Sequence, residues 1–330
     1  MNTTAKLCGF IFGACFTTVC ASAADSPPAK ADQRYVMVVP ISGHPFWVPI
    51  RKGAEDAARQ LGVKFEFTGP VEFDNRAQQQ QIEQIAVTHP AAFLTGAFDP
   101  TAKDTIDRVS QGGIPVVTFD SDAPTSKRIS FIGPDHHKIG LEYGRKIVAL
   151  IKERGKTSGK IGVLTAIDQT NLQERIRGLK EYLAANAPEF TVVDTEDNRG
   201  DDQQTAERAK AMLTAHPDID GLVVVNATGS GLGTAIAELG LAGKVSVLTS
   251  DVFDPILCAI EAGQIQSTSA VTTYLEGYLA VTFAYDYVNG NLKGVPGTDV
   301  GVSPLPPAID PGVFFIDKTN AKTFLTKPCK

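Results

Sequence analysis

A chain of 330 residues, 43% hydrophobic and 21% charged, is long enough for two domains with ample cores and has a globular composition. Its formal net charge of -6, with no basic cluster, argues against a nucleic-acid partner, whose phosphates need a concentrated Lys/Arg face.

The first 24 residues predict an export signal rather than part of the fold. Lys6 precedes an apolar run over 7–19, and Ala21-Ser22-Ala23 or Ser22-Ala23-Ala24 offers the small residues that cleavage needs. The run is too short for a comfortable membrane span. A lipid anchor on Cys20 is the weaker alternative, because Val19 stands where a small residue is expected. Residues 25–33 then form a flexible mature terminus. The signal carries away Cys8, Cys15 and Cys20 and leaves Cys258 and Cys329. Two readings stay open for these: a disulfide in an oxidising compartment, or a buried Cys258 with an unpaired tail cysteine.

Residues 35–40 predict a buried parallel strand, 41–46 a loop, and 47–61 a helix burying Ile50, Ala54, Ala57, Ala58 and Leu61. Strands at 63–67, 91–95, 114–119 and 130–132 follow, with helices at 76–87 and 101–110. After a helix at 137–151 and a polar loop, the series restarts. Strands at 161–165, 191–194, 221–225, 245–249 and 265–271 alternate with helices at 172–185, 201–215, 231–239 and 254–262. A helix at 273–289, a Gly/Pro-rich connection over 290–311, a strand at 313–316 and a helix at 319–325 close the chain. The expected class is α/β, with two similar doubly wound parallel-sheet lobes, a multi-strand hinge and a ligand cleft between them. The first lobe takes 34–134 plus 273–300, and the second takes 135–272 plus 301–330. Three crossings are expected, near 133–135, 271–273 and 300–304, which makes a constrained hinge.

Polar residues collect just past the strand ends, where open α/β sheets bind ligands. His44, Phe46 and Trp47 follow the first strand, Asp120 and Ser121 follow 114–119, Asn226 follows 221–225, and Asp251 follows 245–249. Arg175 lies on the first turns of its helix. Asp and Asn suit vicinal hydroxyls, Arg offers a planar fork, and aromatic rings cover the C–H face of a sugar. Each group also has a plainer reading, as a turn former, a surface arginine or lobe packing. The pair His136-His137 is read as a helix start at the hinge. Its rings point apart and no third ligand stands at metal spacing. Gly229-Ser-Gly231-Leu-Gly233 lacks the dinucleotide fingerprint, so no cofactor is expected.

The stretches HPFW (44–47), IPVVTFDSD (114–122), QERIRG (173–178), LTAHPD (213–218), VVVN (223–226) and VLTSDVFD (247–254) together resemble the periplasmic sugar-binding proteins of the ribose-binding type. These are substrate-binding receptors of ABC transporters, and the resemblance covers 34–302. The end FFIDKTNAKTF (314–324) and the TFDSD segment are similar to a branch with rhamnose and autoinducer-2 receptors. The resemblance implies ligand contacts at Phe46, Trp47, Asp120, Arg175, Asn226 and Asp251, with Gly178 in register with Arg175. It implies a monomer in the periplasm, a monosaccharide or related polyol as ligand, an ABC permease as partner, and a chemoreceptor as a second reader of the closed form.

Four departures point away from ribose. His44 and Gly96 stand where pentose binders carry Asn, Ser121 where they carry Arg, and Val271 where they carry a hinge Gln. Losing an Arg and two amides leaves room for a larger or less oxygen-rich ligand. Against this binding-protein reading stands a secreted α/β enzyme acting on carbohydrate, with Asp120 and Asp251 as paired carboxylates. No nucleophile elbow supports that alternative. A transcription regulator's effector domain would carry a DNA-binding helix-turn-helix in place of the export signal.

Overall fold

The computed structural model describes residues 30–297 and 302–329. The expected export signal and most of the terminal stretch expected to follow it, residues 1–29, lie outside the described residues. Two six-stranded sheets organise the chain.

The first sheet is built from β1 (Arg34–Val38), β2 (Lys64–Thr68), β3 (Ala92–Thr95), β4 (Val116–Phe119) and β5 (Ser130–Ile132), with α1 (Trp47–Leu61), α2 (Asn75–Ala86) and α3 (Ala102–Gln111) between them. Its spatial order is β11-β5-β4-β3-β1-β2, all parallel, where β11 is the late strand Ala308–Ile309. Residues 35–38 of β1 are wholly buried, because helices cover both sheet faces.

The second sheet repeats the plan. α4 (His136–Glu153) leads into β6 (Gly159–Thr165), α5 (Thr170–Asn186), β7 (Phe190–Asp197), α6 (Asp202–Ala215), β8 (Ile219–Val224) and α7 (Gly229–Glu238). β9 (Ser246–Ser250), α8 (Asp254–Glu261) and β10 (Ser267–Val271) follow. The order is β12-β10-β9-β8-β6-β7, with only the late strand β12 (Val313–Asp317) antiparallel. No helix among the described residues is long and apolar enough to cross a membrane.

Late chain completes the first lobe. α9 (Thr273–Val288) buries Ala280, Val281, Ala284 and Tyr285 against β1 and α1. β11 (Ala308–Ile309) pairs with β5, and the backbone N–H of Gly133 donates to the Ile309 carbonyl at 2.9 Å. This corrects the lobe assignment, which placed all of 301–330 in the second lobe. It also moves the third crossing from 300–304 to the turn between β11 and β12. A two-residue strand flanked by Pro has no periodicity to reveal it. The expected closing helix is a single 3-10 turn, Ala321–Phe324.

One close approach sets the site. α4 and α5 touch through glycine: a Cβ on Gly140 would lie 2.1 Å from the Arg175 carbonyl oxygen, and one on Gly178 would lie 2.1 Å from that of His137. Without side chains at these two points, the helices come close enough to bring His136 beside Arg175. The tail is pinned by a disulfide between Cys258 and Cys329, with Cα atoms 5.5 Å apart, inside the bridging range.

Candidate functional site

The carboxyl ends of the two sheets face each other across a cavity of about 300 Å³, at the small end of ligand pockets. His44, Phe46, Trp47, Asp120, Arg175, Asn226 and Asp251 all line it. Ser121 does not. Its hydroxyl donates to the Ala97 carbonyl at 2.6 Å, and the residue is 1% exposed. The sequence places Ser121 one residue after Asp120, but Asp120 turns the backbone and sends the next side chain into the first lobe.

That turn has a counterpart. Asp120 ends β4 with φ of 57°, and Asp251 ends β9 with φ of 76°. Both occupy the left-handed region, which Asp tolerates better than most residues. Each backbone N–H reaches the neighbouring strand: Asp120 to Ile132 at 3.1 Å and Asp251 to Ser269 at 2.8 Å. The two lobes thus present one carboxyl each from equivalent positions. Strained backbone of this kind concentrates at ligand sites.

Arg175 sits beside both. Its Nε donates to His136 Nδ1 at 3.0 Å, and its Nη1 donates to the Val225 carbonyl at 2.8 Å and to Ser250 Oγ at 3.0 Å. Nη2 makes no hydrogen bond among the described residues and remains for a ligand. His136 Nε2 meets the Asp120 carbonyl at 2.6 Å. Since Nδ1 accepts from Arg175, Nε2 carries the proton, so the ring is the neutral Nε2–H tautomer. Burial, reinforced by the Arg175 charge, holds the imidazole down to about 3. Both ring nitrogens are engaged, so His136 is poorly placed to move a proton.

Burial pushes the Asp120 carboxyl up to about 7; Arg175 opposes this and Asp251 adds to it. Asp251 is raised by burial, with Arg175 and Ser250 offsetting part of the effect. A third carboxyl lies beneath them. Glu276, on the first turn of α9, is 0% exposed, and neither of its oxygens has a hydrogen-bond partner. Burial raises it well above the usual range, and Asp120 raises it further.

Asn226 is largely committed. Its amide pairs reciprocally with Asn198, 2.9 Å each way, and its oxygen also accepts from Thr228. One amide hydrogen is left. The loop after β7 contributes Arg199 and Gly200 to the lining, and no aromatic. His44 Nδ1 accepts from the Phe46 backbone N–H at 3.2 Å, and burial lowers the imidazole. Its ring meets Phe253 of the second lobe edge-on, centroids 6.4 Å apart.

The aromatics form one cluster. Trp47 is 5% exposed and packs edge-to-face on Phe46, Phe98 and Phe119, with centroids 4.9, 6.0 and 6.2 Å away. Trp47 is therefore both core and cavity wall. Phe98 and Phe73 join it in the lining. The Thr170 backbone N–H donates to the Phe98 carbonyl at 3.1 Å, which joins the lobes directly.

Sequence reasoning missed Phe98, Asn171, His136, Asn198 and Glu276 as parts of the site. Asn171 lies four residues before Arg175 on one helix face, which is a legible signal. Phe98 lies three residues past β3, in the same strand-end position as the other site residues. Glu276 is an isolated carboxyl on an apolar helix face.

Known proteins agree with this architecture. A family model described as a periplasmic binding protein domain matches residues 35–292. The D-allose-binding periplasmic protein of Escherichia coli is 26% identical over 258 residues, covering 74% of this chain and 81% of that protein. A xylose/arabinose-binding protein of Sulfolobus acidocaldarius is 24% identical over 90% of this chain and 74% of its own length. A sugar-binding protein of a sugar ABC transporter from Bacillus halodurans superposes with a TM-score of 0.79 at 31% identity, covering 89% of this chain and all of that one. A solute-binding protein from Burkholderia graminis, solved with D-arabinose, gives 0.80 at 26% identity, covering 91% of this chain and all of that one. With most of its described length matched, the chain belongs to the periplasmic binding protein family.

Proposed function

We propose that this chain is a periplasmic receptor that closes two lobes on a small sugar or sugar-like polyol and delivers it to an ABC transporter permease. The observation that carries this reading is the cavity floor. Asp120 from one lobe and Asp251 from the other flank Arg175, whose Nη2 is free. Two acceptors and a planar donor suit adjacent hydroxyls, and the aromatic wall suits a sugar's C–H face.

Contacts to both lobes favour the closed form by differential affinity. A few charge-assisted hydrogen bonds of roughly 1.5–3 kcal/mol each, with ring burial, suffice for micromolar binding. Catalysis forms no part of the proposal. Export after removal of residues 1–24 and a monomeric state belong to it, as does a lobe division at 34–134 plus 273–300 with β11 added. A chemoreceptor could read the same closed form.

Thermal-shift screening of the mature chain against pentoses, hexoses, deoxysugars and polyols tests this. A rise in Tm with one class, abolished in Asp120→Ala and Arg175→Ala, supports it. Turnover of any of these compounds, or no shift with any, overturns it.

A further inference from the structure

The first N–H of an α-helix has no partner within its own helix, and α5 turns this one towards the other lobe. Gln169, just before the helix, makes no side-chain cap. The Thr170 N–H crosses instead to the Phe98 carbonyl at 3.1 Å, and Thr170 Oγ1 donates to the same oxygen at 3.3 Å. Among the described residues, the hydrogen bonds that span the lobes away from the hinge all involve Thr170. The edge-on contact of His44 with Phe253 adds no hydrogen bond.

The first-lobe end of this contact is held in place by its own lobe. The Gly96 carbonyl accepts from Gln78 Nε2 at 3.2 Å, and the Ala97 carbonyl accepts from Ser121 Oγ at 2.6 Å. The Ala97 N–H returns a bond to the Ser121 carbonyl at 2.9 Å. The next carbonyl, that of Phe98, is the one offered to the second lobe. Gly96 makes room for this arrangement: a Cβ there would lie 2.4 Å from Phe98 Cε2 and displace the ring. Ser121 thus has a use although it lines no part of the cavity. Both ends of the contact also border the cavity, through the Phe98 ring on one side and Asn171, next to Thr170, on the other.

We propose that the Thr170–Phe98 contact is a latch that holds part of the ligand-free population closed, so that a ligand captures an existing closed state. This rests on the two-lobed receptor reading above and concerns how that same site closes. Thr170 is a positioning residue: it sets the balance between open and closed forms and does not itself line the cavity.

Thr170→Pro removes the donor without disturbing α5. Proline is tolerated at the first helical position, and Gln169 already has φ of -93° and ψ of 120°, the extended conformation that a residue before proline needs. Spin labels on Val71→Cys and Gln203→Cys, exposed positions in the two lobes, report the inter-lobe distance by pulsed dipolar spectroscopy. The sample is the mature chain without any sugar. The parent is expected to show a short-distance and a long-distance population. Thr170→Pro should lower the ratio of short to long roughly threefold to tenfold, the worth of one net hydrogen bond, with Tm unchanged. Thr170→Ser, which keeps both donors, should match the parent. Gly96→Ala, which displaces Phe98 from the other side, should lower the ratio as Thr170→Pro does, and it decides the matter if the proline variant does not fold. A parent with only the long distance, or a ratio unmoved by these changes, overturns the latch. Because no sugar is present, that result leaves the receptor proposal to stand or fall on the thermal-shift screen.

Discussion

Arg175 Nε donates to His136 Nδ1 across 3.0 Å, and the same imidazole holds the Asp120 carbonyl through Nε2 at 2.6 Å. One neutral ring thus ties the second lobe's guanidinium to the backbone of the first lobe's carboxyl. Removing the ring leaves two buried groups unpaired, at roughly 1–3 kcal/mol each. His136→Phe should therefore lower the unfolding free energy by about 2–5 kcal/mol in a denaturant titration. His136→Gln, which can still donate and accept, should lose less. Equal losses would show that the bonds contribute little.

Asp120 and His136 give opposite pH dependences. The Asp120 carboxyl is raised to about 7 in the folded state, so its proton is held more tightly there than in the unfolded chain. Its contribution to stability is fully present below about pH 4 and is lost as pH rises towards 7. His136 is depressed to about 3, so its contribution is present above about pH 6.5 and is lost as pH falls towards 3. Asp120→Asn removes the first effect alone. The Tm of the ligand-free variant, relative to the parent, should rise between pH 5 and pH 8. A constant difference would show that Asp120 titrates normally.

Glu276 has no partner for either oxygen and is wholly buried, and that burial raises its carboxyl well above the usual range. Glu276→Gln replaces one neutral group with another of similar shape. Stability should change by less than about 1 kcal/mol at pH 7, and ligand affinity should stay within a few-fold, because an isosteric neutral exchange leaves little to lose. Loss of several kcal/mol would mean that Glu276 is ionised and paired with Arg175.

The Cys258–Cys329 bridge closes a loop of sequence separation 71 and anchors a tail whose Thr326 N–H also donates to Asp254 at 2.8 Å. Cys258→Ser with Cys329→Ser should cost about 2–4 kcal/mol, and reduction should lower the parent's Tm comparably. Ligand affinity should be unchanged, since neither cysteine lines the cavity. A large affinity loss would mean that the tail shapes the cleft.

The alternation of short apolar strands with amphipathic helices made the two lobes legible in the sequence, and the strand-end positions of Asp120 and Asp251 and the helix-start position of Arg175 followed from it. What escaped depends on relations between distant segments. The role of His136 rests on the Gly140 and Gly178 contact, which no local pattern encodes. Ser121 was misplaced because the left-handed φ of Asp120 redirects the side chain after it. The Asn198–Asn226 amide pair joins residues 28 apart, so the availability of Asn226 was invisible until both loops were placed. β11 is too short to carry a signal, and its pairing with β5 spans most of the chain.

The central claim is that a sugar enters the cavity between the lobes. Trp47 is the chain's single tryptophan and part of the cavity wall, so its emission reports on occupancy without a label. Titrating the mature chain with the sugar that gives the largest thermal shift should change Trp47 fluorescence saturably, with a Kd matching calorimetry, and Arg175→Ala should abolish the change. A sugar that raises Tm while leaving Trp47 emission unaltered, in parent and variant alike, would place the ligand elsewhere and contradict the account.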